Sequence, residues 1–161
     1  MRQGLLTMAA VVVGSGVAFA ATIVGTNRAD TRSGGASGDP ALNGAPGNDN
    51  IEGGSDADVL SGGNGGDGIS GGAFVAAGAN ELYGGPGADT ITADMPAAFD
   101  EVYGGSGDDL IFAEDDIPDF IECGVYASPN SVFLDDDTVF ADRVSDGDPV
   151  SDILFNCETV N

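Results

Sequence analysis

Histidine, lysine and tryptophan are absent from these 161 residues, and basic charge is limited to four arginines. Each absence closes a class of function. Without histidine no Ser-His-Asp triad can form, so the G-x-S-x-G pattern at Gly68-Ile69-Ser70-Gly71-Gly72 is an accident of glycine-rich sequence. Gly63-x-Gly65-x-x-Gly68 fits the dinucleotide fingerprint in the same empty way, since no βαβ unit surrounds it. With no tryptophan and no evident aromatic-lined cleft, carboxylate pairs for glycoside hydrolysis lack a substrate platform. Against so few cations stand 27 acidic residues, for a formal charge of −23. Nucleic acid and anionic membranes are repelled by such a chain. Multivalent cations and water suit it.

The first stretch, "MRQGLLTMAAVVVGSGVAFAA", holds none of the acids. It has Arg2, an apolar run from Leu5 to Val17, and Ala18-Phe19-Ala20 as a small-residue cleavage site. That is the layout of a secretory signal peptide over residues 1–20. An uncleaved anchor is the alternative, but Gly14, Gly16 and the A-x-A ending favour cleavage and no stable membrane insertion afterwards. The expected location is extracellular, with cell-surface association as a variant. Secretion permits a disulfide, and Cys123 and Cys157 are the two cysteines. A bond between them is expected; free or intermolecular thiols are the alternative.

What remains is ordered by repetition. Residues 62–70 read "GGNGGDGIS", 84–92 "GGPGADTIT" and 104–112 "GGSGDDLIF". Taking each unit's aspartate or asparagine as marker gives Asp30, Asp39, Asp49, Asp58, Asp67, Asn80, Asp89, Asp100, Asp109 and Asp119. Most steps are 9 or 10 residues, and Asp137 follows after 18, which reads as two further units. Two places after the markers come Ile51, Leu60, Ile69, Leu82, Ile91, Val102, Ile111, Ile121 and Val139; the two earliest units are weaker, with Arg32 and Ala41 there. A nine-residue period is a solenoid signature. The glycines allow the positive φ of tight turns. The middle residue of a three-residue strand points inward and its neighbours outward. A core one side chain thick leaves little burial to order a chain with 27 glycines, so disorder is the expectation whenever stacked carboxylates repel unopposed.

From about residue 25 to 122 the chain resembles the repeats-in-toxin, or haemolysin-type, calcium-binding nonapeptide family, on the G-G-x-G-x-D-x-U-x pattern quoted above. The resemblance implies an all-β parallel β-roll, a β-solenoid in which a six-residue turn alternates with a three-residue strand and two units make one coil. It implies calcium as cofactor. Units two apart share an edge at a spacing of about 4.8 Å, and an ion with oxygens at about 2.3–2.6 Å bridges such a gap. The ligand set expected is Asp49, Asp67, Asp89 and Asp109 with Gly47, Gly65, Gly87 and Gly107 on one regular edge, joined by Asp58 and Asp100 on the other. That other edge holds the length irregularities: Asp56 in a glycine place, an insertion around "FVAA" before Asn80, Pro96, and "AEDDIPD".

A solvated acidic surface explains the charge but not its nine-residue phase. Helix-loop-helix calcium sites need flanking helices that neither "DDIPDFIEC" nor "DGDPVSD" has. Residues 21–43 read as degenerate repeats, 44–122 as the calcium-binding β-roll, and 123–161, rich in large apolar groups, as a C-terminal cap tied by the disulfide over an otherwise open edge. "DDDTVFADRV" suggests a further strand within it. The function expected is a secreted, non-enzymatic repeat protein that folds on calcium. Its protein or surface partner is not named by the sequence. A calcium-stiffened adhesin presenting Tyr83 and Tyr103, or a non-catalytic secretion module related to an enzyme of the family, are the alternatives. The missing histidine removes the zinc motif of secreted proteases with related repeats.

Overall fold

The computed structural model describes residues 23–34, 41–93, 98–124, 136–141, 152–157 and 159–160, with backbone alone at 73–77 and 159–160. The leader expected at 1–20, Pro96 and residues 142–150 of the expected cap lie outside them. Every element among the described residues is a strand. In chain order they are β1 (Ile23–Val24), β2 (Thr31–Ser33), β3 (Leu42–Pro46), β4 (Asn50–Asp56), β5 (Val59–Asn64), β6 (Gly68–Ala77), β7 (Glu81–Pro86), β8 (Thr90–Thr92), β9 (Glu101–Ser106), β10 (Leu110–Ala113), β11 (Phe120–Gly124), β12 (Thr138–Ala141), β13 (Ile153–Phe155) and β14 (Thr159–Val160). Odd-numbered strands form one seven-stranded sheet and even-numbered strands the other, each in simple ascending order. All pairs are parallel. The chain is therefore a parallel β-solenoid: it crosses from sheet to sheet at each turn and returns one rung further on.

The core lies between the sheets and follows from the period. Leu60, Leu82, Val102 and Ile121 stack in register on the odd sheet, and Ile51, Ile69, Ile91, Ile111 and Val139 on the even one. All nine are buried. Burying such a side chain fully is worth about 1.5–3 kcal/mol, and β-branched residues suit the pleat. Two places further along each strand the inward residue is small, as at Gly62, Gly84, Ala93, Ala113 and Ala141, which narrows the core toward the turns.

Two sequence expectations change. The inward residue of the early unit is Leu42, paired with Leu60, and not Ala41. Leu42 stands seven residues before Asp49, as Leu60 does before Asp67 and Leu82 before Asp89, so register follows the turn that comes after. The 18-residue step from Asp119 to Asp137 does not hold two units. Asp119 and Asp137 fall in opposite columns, one unit apart, with Cys123 and Gly124 in the glycine-pair place and Asp137 in the aspartate place. Beyond it β12, β13 and β14 continue both sheets, and β12 is the strand expected within "DDDTVFADRV". Arg32 stays in the inward column at the N-terminal end, opposite Ile51, with Asp30 3.7 Å from its guanidinium. Cys123 and Cys157 are bonded across 34 residues, holding β11 to the segment after β13.

Candidate metal centre

Two columns of acids run along the two edges of the solenoid. On one edge the backbone N–H of Asp30 donates to Oδ1 of Asp49, Asp49 to Asp67, Asp67 to Asp89, Asp89 to Asp109 and Asp109 to Asp137, at 2.7–2.9 Å. On the other the same ladder runs Asp58, Asn80, Asp100, Asp119 and Asp152, at 2.7–3.0 Å. Each rung thus hands its N–H to the carboxylate of the next. The expected ligands Asp49, Asp67, Asp89 and Asp109 share one column; Asp58 and Asp100 lie in the other. Asp152 was not among the sequence candidates. Its signal was present: Leu154 two places on, the same offset as every other unit.

The turns explain why these carboxylates are buried. Where the chain leaves β5, Gly63 has φ +111° and Gly65 φ +132°; a side chain on Gly65 would run into the carbonyl oxygen of Gly47 one rung away. Gly87 meets the carbonyl of Gly65 in the same way, and Gly107 that of Gly87. These third-glycine carbonyls are therefore packed rung on rung beside the acid column. A Cβ on Gly44 or Gly84 would lie 2.5 Å from Oδ2 of Asp49 or Asp89. At Asp49 and Asp89 the carboxylate occupies the space that this carbon would fill.

The outcome is costly without a cation. Oδ2 of Asp49, Asp67, Asp89, Asp100 and Asp119 is buried with no hydrogen-bond partner. Leaving an ionised oxygen in that condition opposes folding by several kcal/mol. Burial accordingly raises the Asp67 carboxyl above its ordinary value, pushes Asp89 up to about 6, Asp100 to about 7 and Asp119 to about 8. Exposed Asp30 goes the other way, lowered by the N–H and hydroxyl of Thr26.

The donor set suits a hard cation. Every candidate atom is oxygen, from carboxylate or carbonyl, as calcium prefers. No group of three or more acidic, cysteine or histidine side chains that could hold a metal occurs among the described residues. A calcium shell of six to eight oxygens would then draw its carboxylates from neighbouring rungs and the remainder from turn carbonyls. The two edges differ in two respects. Gly44, Gly62, Gly84 and Gly104 precede the acids of the regular column, whereas Ala93 and Ala113 take that place before Asp100 and Asp119. Asn80 also puts a buried amide nitrogen, without a hydrogen-bond partner, where the other rungs have Oδ2.

The family model of the RTX calcium-binding nonapeptide repeat matches the chain at residues 43–75, 74–95 and 97–117. No curated protein and no solved structure matches it. Period, glycine turns, inward aliphatics and acid columns agree with that match: residues 43–117 carry RTX calcium-binding nonapeptide repeats, and such repeats bind Ca2+.

Proposed function

We propose that this protein is secreted and folds by binding calcium between the stacked turns of its regular edge, with Asp49, Asp67, Asp89 and Asp109 and the carbonyls of Gly47, Gly65, Gly87 and Gly107 as the shell. The single observation that carries the reading is the row of buried, unbonded Oδ2 atoms at Asp49, Asp67 and Asp89, lined up beside stacked glycine carbonyls. A divalent cation there turns the largest penalty of the fold into its main stabilisation, so binding free energy becomes folding free energy. The four turns starting at Gly44, Gly62, Gly84 and Gly104 leave three gaps, hence three principal ions.

The other edge binds more weakly or not at all. Support comes from Asn80, whose amide nitrogen is no calcium ligand, and from the alanines beside Asp100 and Asp119. We read the protein as non-enzymatic, in keeping with its lack of histidine and with a family defined by ion binding. Counting bound ions by native mass spectrometry at saturating calcium tests the assignment. Three tightly held ions, lost on replacing Asp67 and Asp89 but kept on replacing Asn80 and Asp100, are expected. Ions held mainly by the second column would overturn it.

A further inference from the structure

The outward face of the odd-numbered sheet carries a row of aromatic rings and glutamates. Tyr83 and Tyr103 are register partners on β7 and β9, and their rings stack at 4.9 Å and 5°. Phe120 leans against Tyr103 at 5.8 Å, and Phe155 against Phe120 at 5.4 Å. Glutamates accompany them. The Tyr83 hydroxyl donates to Glu81 and the Tyr103 hydroxyl to Glu101, each at 3.0 Å, which fixes both rings. Glu122 follows Tyr103 in register on β11.

Beside Tyr103 the aromatic row is interrupted. A half-open pocket of about 150 Å³ is bounded by the Tyr103 ring, the Glu122 side chain and the register pair Gly105 and Gly124. The two glycines leave its floor without side chains. Its walls are Tyr103 and Glu122, one rung apart. Negative charge collects at this spot. The Tyr103 hydroxyl is raised first by its hydrogen bond to Glu101, then by burial and by the charges of Glu101, Glu122 and Glu81. The described arginines are elsewhere, Arg28 in a turn and Arg32 on the even sheet.

We propose that this slot binds a guanidinium group, as presented by an arginine side chain of a basic partner protein. A guanidinium is planar, stacks on an aromatic face and offers a carboxylate two parallel N–H donors. The slot sets Tyr103 and Glu122 on neighbouring rungs, and the acidic row Glu81, Glu101 and Glu122 supplies charge complementarity beyond it. An ammonium is a poorer match, because it is strongly hydrated and has no flat face to stack. Tyr103 and Glu122 stand on the face of the sheet, whereas Gly105 and Gly124 open turns of the regular column, so the test is made at saturating calcium.

The test uses calcium-saturated protein at fixed ionic strength, titrated with ethylguanidinium and, separately, with n-butylammonium while amide resonances are followed by NMR. Ethylguanidinium is expected to move Gly105 and Gly124 saturably, and more tightly than butylammonium. Glu122→Gln and Tyr103→Leu should each weaken it by about fivefold, the worth of one ring or charge contact. Tyr103→Phe keeps the ring and should retain binding, and Glu52→Gln on the opposite sheet should leave it unchanged. Circular dichroism of each variant separates a lost site from a lost fold, and Glu122→Gln serves alone where Tyr103→Leu does not fold. Equal response to both cations, shifts spread over all acidic positions, or equal loss from Glu52→Gln would show general counter-ion binding and overturn the proposal.

Discussion

Replacing Asp67 and Asp89 together by asparagine, and in a second variant by alanine, separates two jobs that each carboxylate performs. Oδ1 of Asp67 accepts the N–H of Asp49, and Oδ1 of Asp89 that of Asp67, each at 2.7 Å. An asparagine carbonyl keeps both bonds, as Asn80 keeps the bond to Asp58 at 3.0 Å on the other edge. It removes the charge and puts an amide nitrogen in place of the buried, unbonded Oδ2, as at Asn80. Alanine removes both functions and leaves two buried N–H groups without acceptors, at about 1–3 kcal/mol each, or roughly 2–6 kcal/mol for the pair. Without calcium the asparagine pair should be at least as structured as the parent, because burial raises both carboxyl pKa values and that unfavourable charge is gone. With calcium the order inverts. Two carboxylate ligands are missing from the middle of the column, and affinity should fall by on the order of tenfold or more. The alanine pair should be the least stable at every calcium concentration. Far-UV circular dichroism followed from excess chelator into millimolar calcium reads all three proteins. An asparagine pair with the parent's calcium midpoint would refute the ligand assignment, and equal stability of the alanine and asparagine pairs would refute the hydrogen-bonded ladder.

Other predictions follow from single features. The carboxyls of Asp89, Asp100 and Asp119 are raised by burial from 3.8 to about 6, 7 and 8. A raised carboxyl stabilises the fold fully below its unfolded value and loses that contribution as pH climbs through the folded one. The calcium-free protein should therefore gain β signal on acidification from pH 8 toward 4; a flat or opposite response contradicts the buried columns. Gly65→Ala should abolish the fold, since Gly65 has φ +132° and its Cβ would strike the Gly47 carbonyl. Gly68→Ala meets nothing nearer than 3.2 Å and should cost about 1 kcal/mol or less in thermal denaturation. Cys157→Ser opens a link spanning 34 residues and should lower the stability of the calcium-loaded protein by about 4 kcal/mol on the loop-entropy estimate. An unchanged denaturation midpoint would show that the C-terminal rungs hold without it.

Much of this architecture was legible because the period forces it. Ile51, Leu60, Ile69 and their successors had to face one core once the offset of two from each marker was seen, and all are buried. Two edges of unequal regularity were legible too, from Asn80 and the insertion before it. What misled was counting. The 18 residues between Asp119 and Asp137 divide by nine, yet the register of β12 on β10 and the bond from Asp109 to Asp137 put Asp137 one unit after Asp119. Leu42 against Ala41 is a choice of phase that spacing back from Asp30 or forward to Asp49 decides differently, and core volume chose leucine. Hydrogen bonding of each Oδ1 to the previous rung left no trace in sequence, because aspartate in a turn serves a ligand, a cap or a ladder equally well. The slot beside Tyr103 needed a register: Tyr103 and Glu122 are 19 residues apart in sequence and one rung apart in the sheet.

Circular dichroism of the protein lacking residues 1–20, titrated with calcium from excess chelator, bears most directly on the central claim. The account predicts little β structure in chelator, a cooperative gain on calcium with a midpoint in the range of about 10⁻⁴–10⁻³ M typical of extracellular calcium modules, and no equivalent response to magnesium, which demands a tighter octahedral shell. A full β spectrum in chelator, unchanged by calcium, would contradict it.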